Sequence, residues 1–250
     1  MLHAEMLRDL KPAAASADVA DWPARFTALH QAARDPRLRA FYAAGAVAGD
    51  TPLQDVPLLA LDVETTGLNP SIDGIVSVGL VPMTLDRIRA SQGRHWLLKP
   101  RVPLDDEAIT LHGITHQQLS QAPDLDDVLA ELLSIMAGQV MVVHCRDIER
   151  QFLDHGLRRR LGEGIEFPVI DTMALEARLH RRARPSLWQR LWRPAPAPVS
   201  IRLAASRARY GLPRYRLHHA LSDSLASAEL LQAQVAHRFS PQTELRELWH

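Results

Sequence analysis

Apolar positions recur at helical spacing early in the chain, at Trp22, Phe26, Leu29 and Ala33 and again at Leu38, Phe41 and Tyr42. Asp35-Pro36 breaks the run between the two sets. Residues 1–56 therefore read as a helical extension, without an acid cluster or glycine loop of its own. The period then changes. Leu58-Leu59-Ala60-Leu61 is a short apolar run ending in Asp62-Val63-Glu64, and residues 58–62 read as a strand. Gly67-Leu68-Asn69-Pro70 has turn composition, Asp73-Gly74 is a turn signal, and Ile75–Val81 reads as a second strand. A third falls between Leu85 and Leu98. Three strands so close in sequence imply an antiparallel meander.

Leu125, Val128, Leu129, Leu132, Leu133 and Met136 mark a helix that Gly138 closes, and Val140–Val143 reads as a buried strand. A further helix begins near Asp147, with Ile148, Phe152 and Leu153 inward. Phe167–Thr172 is a short strand entering another helix, capped by Asp171 or Thr172. Pro194, Pro196 and Pro198 exclude a continuous helix over 184–200. A long helix follows Asp223, with Ala226, Leu230, Leu231, Ala233 and Val235 apolar, and residues 239–250 read as a short tail. Helices alternating with strands after residue 125 give an α/β class. The division is an extension over 1–56, a main domain over 57–238 and the tail.

Composition adds limits rather than direction. The 250 residues are 46% hydrophobic and 23% charged, and 29 basic residues cancel 29 acidic ones, so net charge names no partner. Charge is uneven locally: residues 171–216 hold eleven arginines against Asp171 and Glu176. That stretch fits a solvated helix face or contact with a phosphate backbone. The single cysteine, Cys145, excludes a disulfide framework and fits a reducing cytoplasm. No apolar run approaches the roughly 18 residues of a membrane span, so no membrane partner is expected.

The acids at element ends carry the chemistry. A strand sends alternate side chains to one face, so Asp62 and Glu64 point the same way. Taken alone, they also fit an edge strand with two solvated acids. Glu149 lies in the first turn of the helix after Val140–Val143, and Asp223 begins the last helix, five residues after His218. Several carboxylates at one end of a sheet suit two divalent cations about 4 Å apart, which can activate a water and stabilise a leaving oxygen. A histidine near neutrality can take the proton of that water.

Three blocks in order resemble the DnaQ-like, DEDDh-type 3′–5′ exonucleases. They are Asp62-Val63-Glu64-Thr65-Thr66-Gly67, Val142-Val143-His144-Cys145-Arg146-Asp147-Ile148-Glu149 and His218-x4-Asp223. Leu111-His112-Gly113-Ile114-Thr115 resembles a block common between the first two. The resemblance spans roughly residues 58–237 and, for the proofreading subunit of the bacterial replicative polymerase, is confined to the nuclease domain. It implies a ribonuclease H-like fold, a five-stranded mixed sheet flanked by helices. By position, Asp62, Glu64 and Asp223 would hold two Mg2+ or Mn2+ ions, with Asp62 bridging them. Glu149 would complete the set of acids, and His218 would be the general base. Thr65, Thr66 and Gly67 would lie beside the 3′-terminal nucleotide, and His112 near its base or sugar. Turn formation and loop packing are the plainer roles for the threonines and His112.

The chain departs from the family pattern in places. Cys145 stands where an Asn is usual, and the acid in register is Glu149 rather than Asp, one methylene longer. Asp147 is the rival acid, but two helical positions turn it about 200° from Glu149, and it suits the helix N-cap. Ser224, where Ala is common, is expected to be harmless, and His219 structural or incidental. The expected activity is 3′–5′ exonucleolytic hydrolysis at DNA or RNA 3′ ends, DNA preferred, by a free-standing enzyme. The alternatives are a nuclease-like module that binds without turnover, or an RNA-trimming exoribonuclease. A protein partner could dock through residues 1–56.

Overall fold

Short, nearly continuous apolar runs bounded by turn residues make Leu58–Thr65 (β1) and Ile75–Met83 (β2) strands, and both are almost wholly buried. They belong to a computed structural model that describes residues 21–102, 112–180, 199–215 and 218–250. Arg94–Leu97 (β3), Val140–Val143 (β4) and Val169–Asp171 (β5) complete a five-stranded sheet of order β3-β2-β1-β4-β5. β2 pairs antiparallel with β1 and β3, whereas β4 runs parallel to β1 and β5. This is the mixed, helix-flanked α/β sheet that the sequence implies, meander included. β1 runs three residues further than the apolar run suggested, so Glu64 lies within the strand.

The described helices are Trp22–Ala32 (α1), Pro36–Ala43 (α2), His116–Ser120 (α3), Leu125–Met136 (α4), Arg146–Leu161 (α5), Thr172–His180 (α6), Leu203–Arg209 (α7) and Ala220–Arg238 (α8). Some have a clear local cause. Asp124 and Asp127 form a capping box that starts α4, and Gly138, at φ +70°, ends it. α5 starts after Cys145, which contributes no side-chain cap, so Asp147 lies in the first turn and is not the N-cap. Asp171 caps α6 by accepting the Met173 and Ala174 N–H groups at 2.9 and 3.1 Å. No described helix is long and apolar enough to cross a membrane.

One apolar core joins the sheet, the helices and both ends of the described chain. The extension buries Trp22, Phe26, Leu38, Phe41 and Tyr42 in it. Residues 239–250, read from sequence as a tail, also fold back. Leu245 and Leu248 are fully buried, and Trp249 forms a bridge with Ile170 beside β5. Leu245, Leu248 and Trp249 keep an i, i+3, i+4 spacing, but over a single turn, too short for the period to mark an element.

Of the arginine-rich stretch, residues 181–198 and Arg216 lie outside the described residues. Three of the others are structural. Arg207 is buried and donates to Glu229 and to the Ala226 and Pro213 carbonyls. Arg209 pairs with buried Glu176, and Arg178 donates to the Glu247 carbonyl. Buried Arg207 is therefore not available to a phosphate, whereas Arg178 and Arg209 keep exposed surface.

Candidate active site

In the antiparallel register Asp62 faces Gly79 and Glu64 faces Ser77, so these four share one face of the sheet. Gly79 leaves no side chain in the row. A Cβ there would meet the Ala220 carbonyl carbon at 2.3 Å, so the N-terminus of α8 sits directly on β2. The Ser224 hydroxyl lies within hydrogen-bond reach of the Gly79 and Ala220 carbonyls, at 2.9 and 2.7 Å. This close approach brings Asp223, in the first turn of α8, over the β1 carboxylates. Donor atoms of Glu64, His218 and Asp223 all lie within 4.8 Å of one another.

Glu149 arrives from the first turn of α5 and is 2% exposed, whereas the Asp147 side chain is 54% exposed and faces solvent. Among the described residues no Lys or Arg forms an ion pair with Asp62, Glu64, Glu149 or Asp223. The consequence appears in their acidities. Burial pushes Asp62 well above the usual carboxylate range, and the charges of Glu64, Glu149 and Asp223 add to it. Burial, then Asp223, raises Glu64 to about 8. Burial also raises Glu149 well above its ordinary value, with Asp171 and Asp147 contributing. Asp223 is raised by burial, partly offset by N–H donation from His218 and His219. Glu149 Oε2 and Asp223 Oδ1 are buried without a hydrogen-bond partner. Orphaned buried oxygens of this kind are costly unless a cation or water meets them. The Glu64 and Asp223 carboxylates and the His218 imidazole could hold a divalent cation, with the Asp62 and Glu149 charges beside them. Burial pushes the Cys145 thiol far up, so no thiolate competes.

His218 is the only described non-glycine residue with positive φ, at +63°. That conformation costs of order 1–3 kcal/mol and persists where its surroundings over-determine it. Here the His218 N–H donates to Asp223 Oδ2 at 2.8 Å. Next to it, the His219 ring stacks on His95 with centroids 4.6 Å apart, and His95 Nε2 lies 2.7 Å from the Ser77 hydroxyl.

The chain matches the Exonuclease family over residues 59–231. This chain belongs to the exonuclease family. A DNA polymerase III of PolC type from Thermotoga maritima is 28% identical over 181 residues, covering 72% of this chain but only 12% of that polymerase. Two solved structures share the fold. One is the nuclease domain of 3′hExo, a DEDDh family member, bound to rAMP (TM-score 0.59, 16% identity, 73% of this chain and 92% of that one). The other is Exonuclease X in complex with 5′ overhanging duplex DNA (TM-score 0.55, 22% identity, 75% and 97%).

The remaining residues named from sequence take turn positions. Thr65 Oγ1 donates to the Gly67 carbonyl at 2.6 Å. Thr66 is buried; its hydroxyl donates to Asp73 and accepts the Gly74 N–H, closing the β1–β2 loop. Gly67 is required there, because a Cβ would meet Asp73 Oδ2 at 2.5 Å. His112 is buried and accepts the Ile114 N–H at Nδ1, 3.1 Å; Leu111, before it, lies outside the described residues. Sequence reasoning passed over Ser77, Gly79 and His95 and set His219 aside. The usable signal was Ser77-x-Gly79, two small residues at period two inside a Val/Ile/Leu strand.

Proposed function

We propose that residues 57–238 form a 3′–5′ exonuclease that hydrolyses the terminal phosphodiester of a nucleic-acid 3′ end and releases nucleoside 5′-monophosphates. The observation that supports this most is the grouping of buried Glu64, Glu149 and Asp223 with half-buried Asp62, without an Arg or Lys ion pair among the described residues and with two oxygens unpartnered. Divalent ions such as Mg2+ or Mn2+ would be held by Asp62, Glu64 and Asp223, of which Glu64 and Asp223 have donor atoms within 4.8 Å of each other and of His218. Such ions, when bound, supply positive charge that acidifies an attacking water and offsets charge on the leaving 3′ oxygen.

The chain's own groups do the rest. Glu149 closes the side of the site next to Asp62, its extra methylene allowing reach from α5. His218 takes the proton of the attacking water as that water's oxygen bonds to phosphorus and the 3′ oxygen departs. Asp223 fixes the His218 backbone through the 2.8 Å hydrogen bond. The Thr65-Thr66-Gly67 turn and His112 would border the terminal nucleotide, the turn chiefly by its shape, since both threonine hydroxyls and the Thr66 N–H are engaged within the loop. DNA is favoured over RNA by the relation to a DNA polymerase III. The covered share of that polymerase, 12%, leaves association with a polymerase as no part of the proposal.

The test is digestion of matched DNA and RNA oligonucleotides in Mg2+ or Mn2+. Asp62→Ala and Asp223→Ala should abolish release, and His218→Ala should lower kcat by about 10²–10⁴-fold. Activity retained by Asp62→Ala would remove the carboxylate cage from the mechanism.

A further inference from the structure

The first turn of α8 lies across β2 and β3 because two glycines make room for it. Gly79 meets the Ala220 backbone, and a Cβ on Gly93 would meet Leu221 Cδ1 at 2.9 Å. His95 pairs with Gly79 in the β2–β3 ladder, so Asp62, Gly79 and His95 form one row across three strands. His219, one residue before Ala220, comes down on the far end of that row. Its ring stacks on His95 at 4.6 Å with 27° between planes. His95 is itself fixed by Ser77, which is fully buried and sits opposite Glu64. His219 is the N-cap residue of α8; its side chain caps no helix N–H, and its Nδ1 lies 3.5 Å from the Ser222 hydroxyl. Its side chain therefore does something other than start the helix.

We propose that His95 and His219 are positioning residues for His218. The stacked pair pins the residue next to the left-handed His218, while Asp223 holds the His218 N–H. One strand row thus carries a metal-site acid at one end and the support of the general base at the other. Neither histidine touches the reacting atoms, and the pair acts through ring packing rather than proton transfer. The inference rests on His218 being the base, as proposed above.

The experiment compares His95→Ala, His219→Ala, the double variant and His219→Phe. kcat should fall about tenfold in either single Ala variant, since small misplacement of a catalytic group is costly, while KM stays within about twofold. The double variant should lose little more than either single one, because the two rings act as a unit. His219→Phe, which keeps a ring for the stack, should recover most of the rate. Hydrogen exchange at the His218 amide is read in parallel, and protection should fall in His219→Ala and return in His219→Phe. Multiplying losses in the double variant, no rescue by Phe, or unchanged protection at amide 218 would overturn the inference. If the wild type releases no nucleotide, the functional reading fails, and amide protection still decides whether the stack holds the loop. Circular dichroism of each variant separates loss of positioning from loss of fold.

Discussion

Burial, with the Asp223 charge beside it, pushes the Glu64 carboxyl up to about 8 in the folded protein, against an ordinary value of 4.5. Between those values the folded state binds a proton that the unfolded chain has released. Stability of the metal-free protein should therefore fall as pH rises through that window. Raised Asp62, Glu149 and Asp223 act in the same direction. A divalent ion needs the deprotonated carboxylates, so its benefit should grow with pH. At a hundred times its Kd an ion adds about 2.7 kcal/mol, or roughly 5–10 °C in Tm for a chain of this size. Thermal melts with EDTA and with Mn2+ at pH 6 and pH 8 check this, and an equal shift at both would contradict it. Glu149→Gln should cut activity strongly while Asp147→Asn, whose carboxylate faces solvent, should change it less than about twofold. The reverse ranking in steady-state assays would make Asp147 the working acid. Asp62, Glu64, Glu149, Asp223 and His218 could be named as candidates from the sequence, by acids near strand ends and helix starts and by the family resemblance, and their roles are proposals. The stack of His95 on His219 was not, since it joins residues far apart in the chain.

At the scale of elements, the site depends on how closely α8 approaches β2. Gly79 and Ser224 set that distance, one by lacking a side chain and the other by bonding to the carbonyl so exposed. Gly79→Ala should displace the first turn of α8, cost about 1–3 kcal/mol by overpacking and lower kcat through Asp223. Urea denaturation and kinetics together check it; wild-type values in both would show that the helix has slack. The strands and long helices were readable from their periods, and Ser224 was expected to be neutral. Its buried bond to Gly79 is a tertiary effect that no local pattern carries.

The whole molecule is neutral, with 29 charges of each sign, so attraction to a polyanion must come from bound ions and local groups. Part of its arginine complement holds the protein together. Arg150, next to Glu149 on α5, lies over the Trp22 ring at 5.5 Å and donates to the Phe167 and His250 carbonyls. Extension, sheet and returning C-terminal residues thus meet behind the helix that presents Glu149. The extension was visible in the sequence as a helical pattern, but not its burial against Arg150, because only the fold brings them together. All of this serves one claim, that the cage cuts nucleic acid from the 3′ end. A 5′-labelled DNA oligonucleotide incubated with the wild-type protein and Mn2+ tests it most directly. The account predicts a ladder shortening one nucleotide at a time with release of nucleoside 5′-monophosphates, lost in EDTA and in Asp62→Ala. An intact substrate, internal cuts, or release of the labelled 5′ nucleotide first would contradict it.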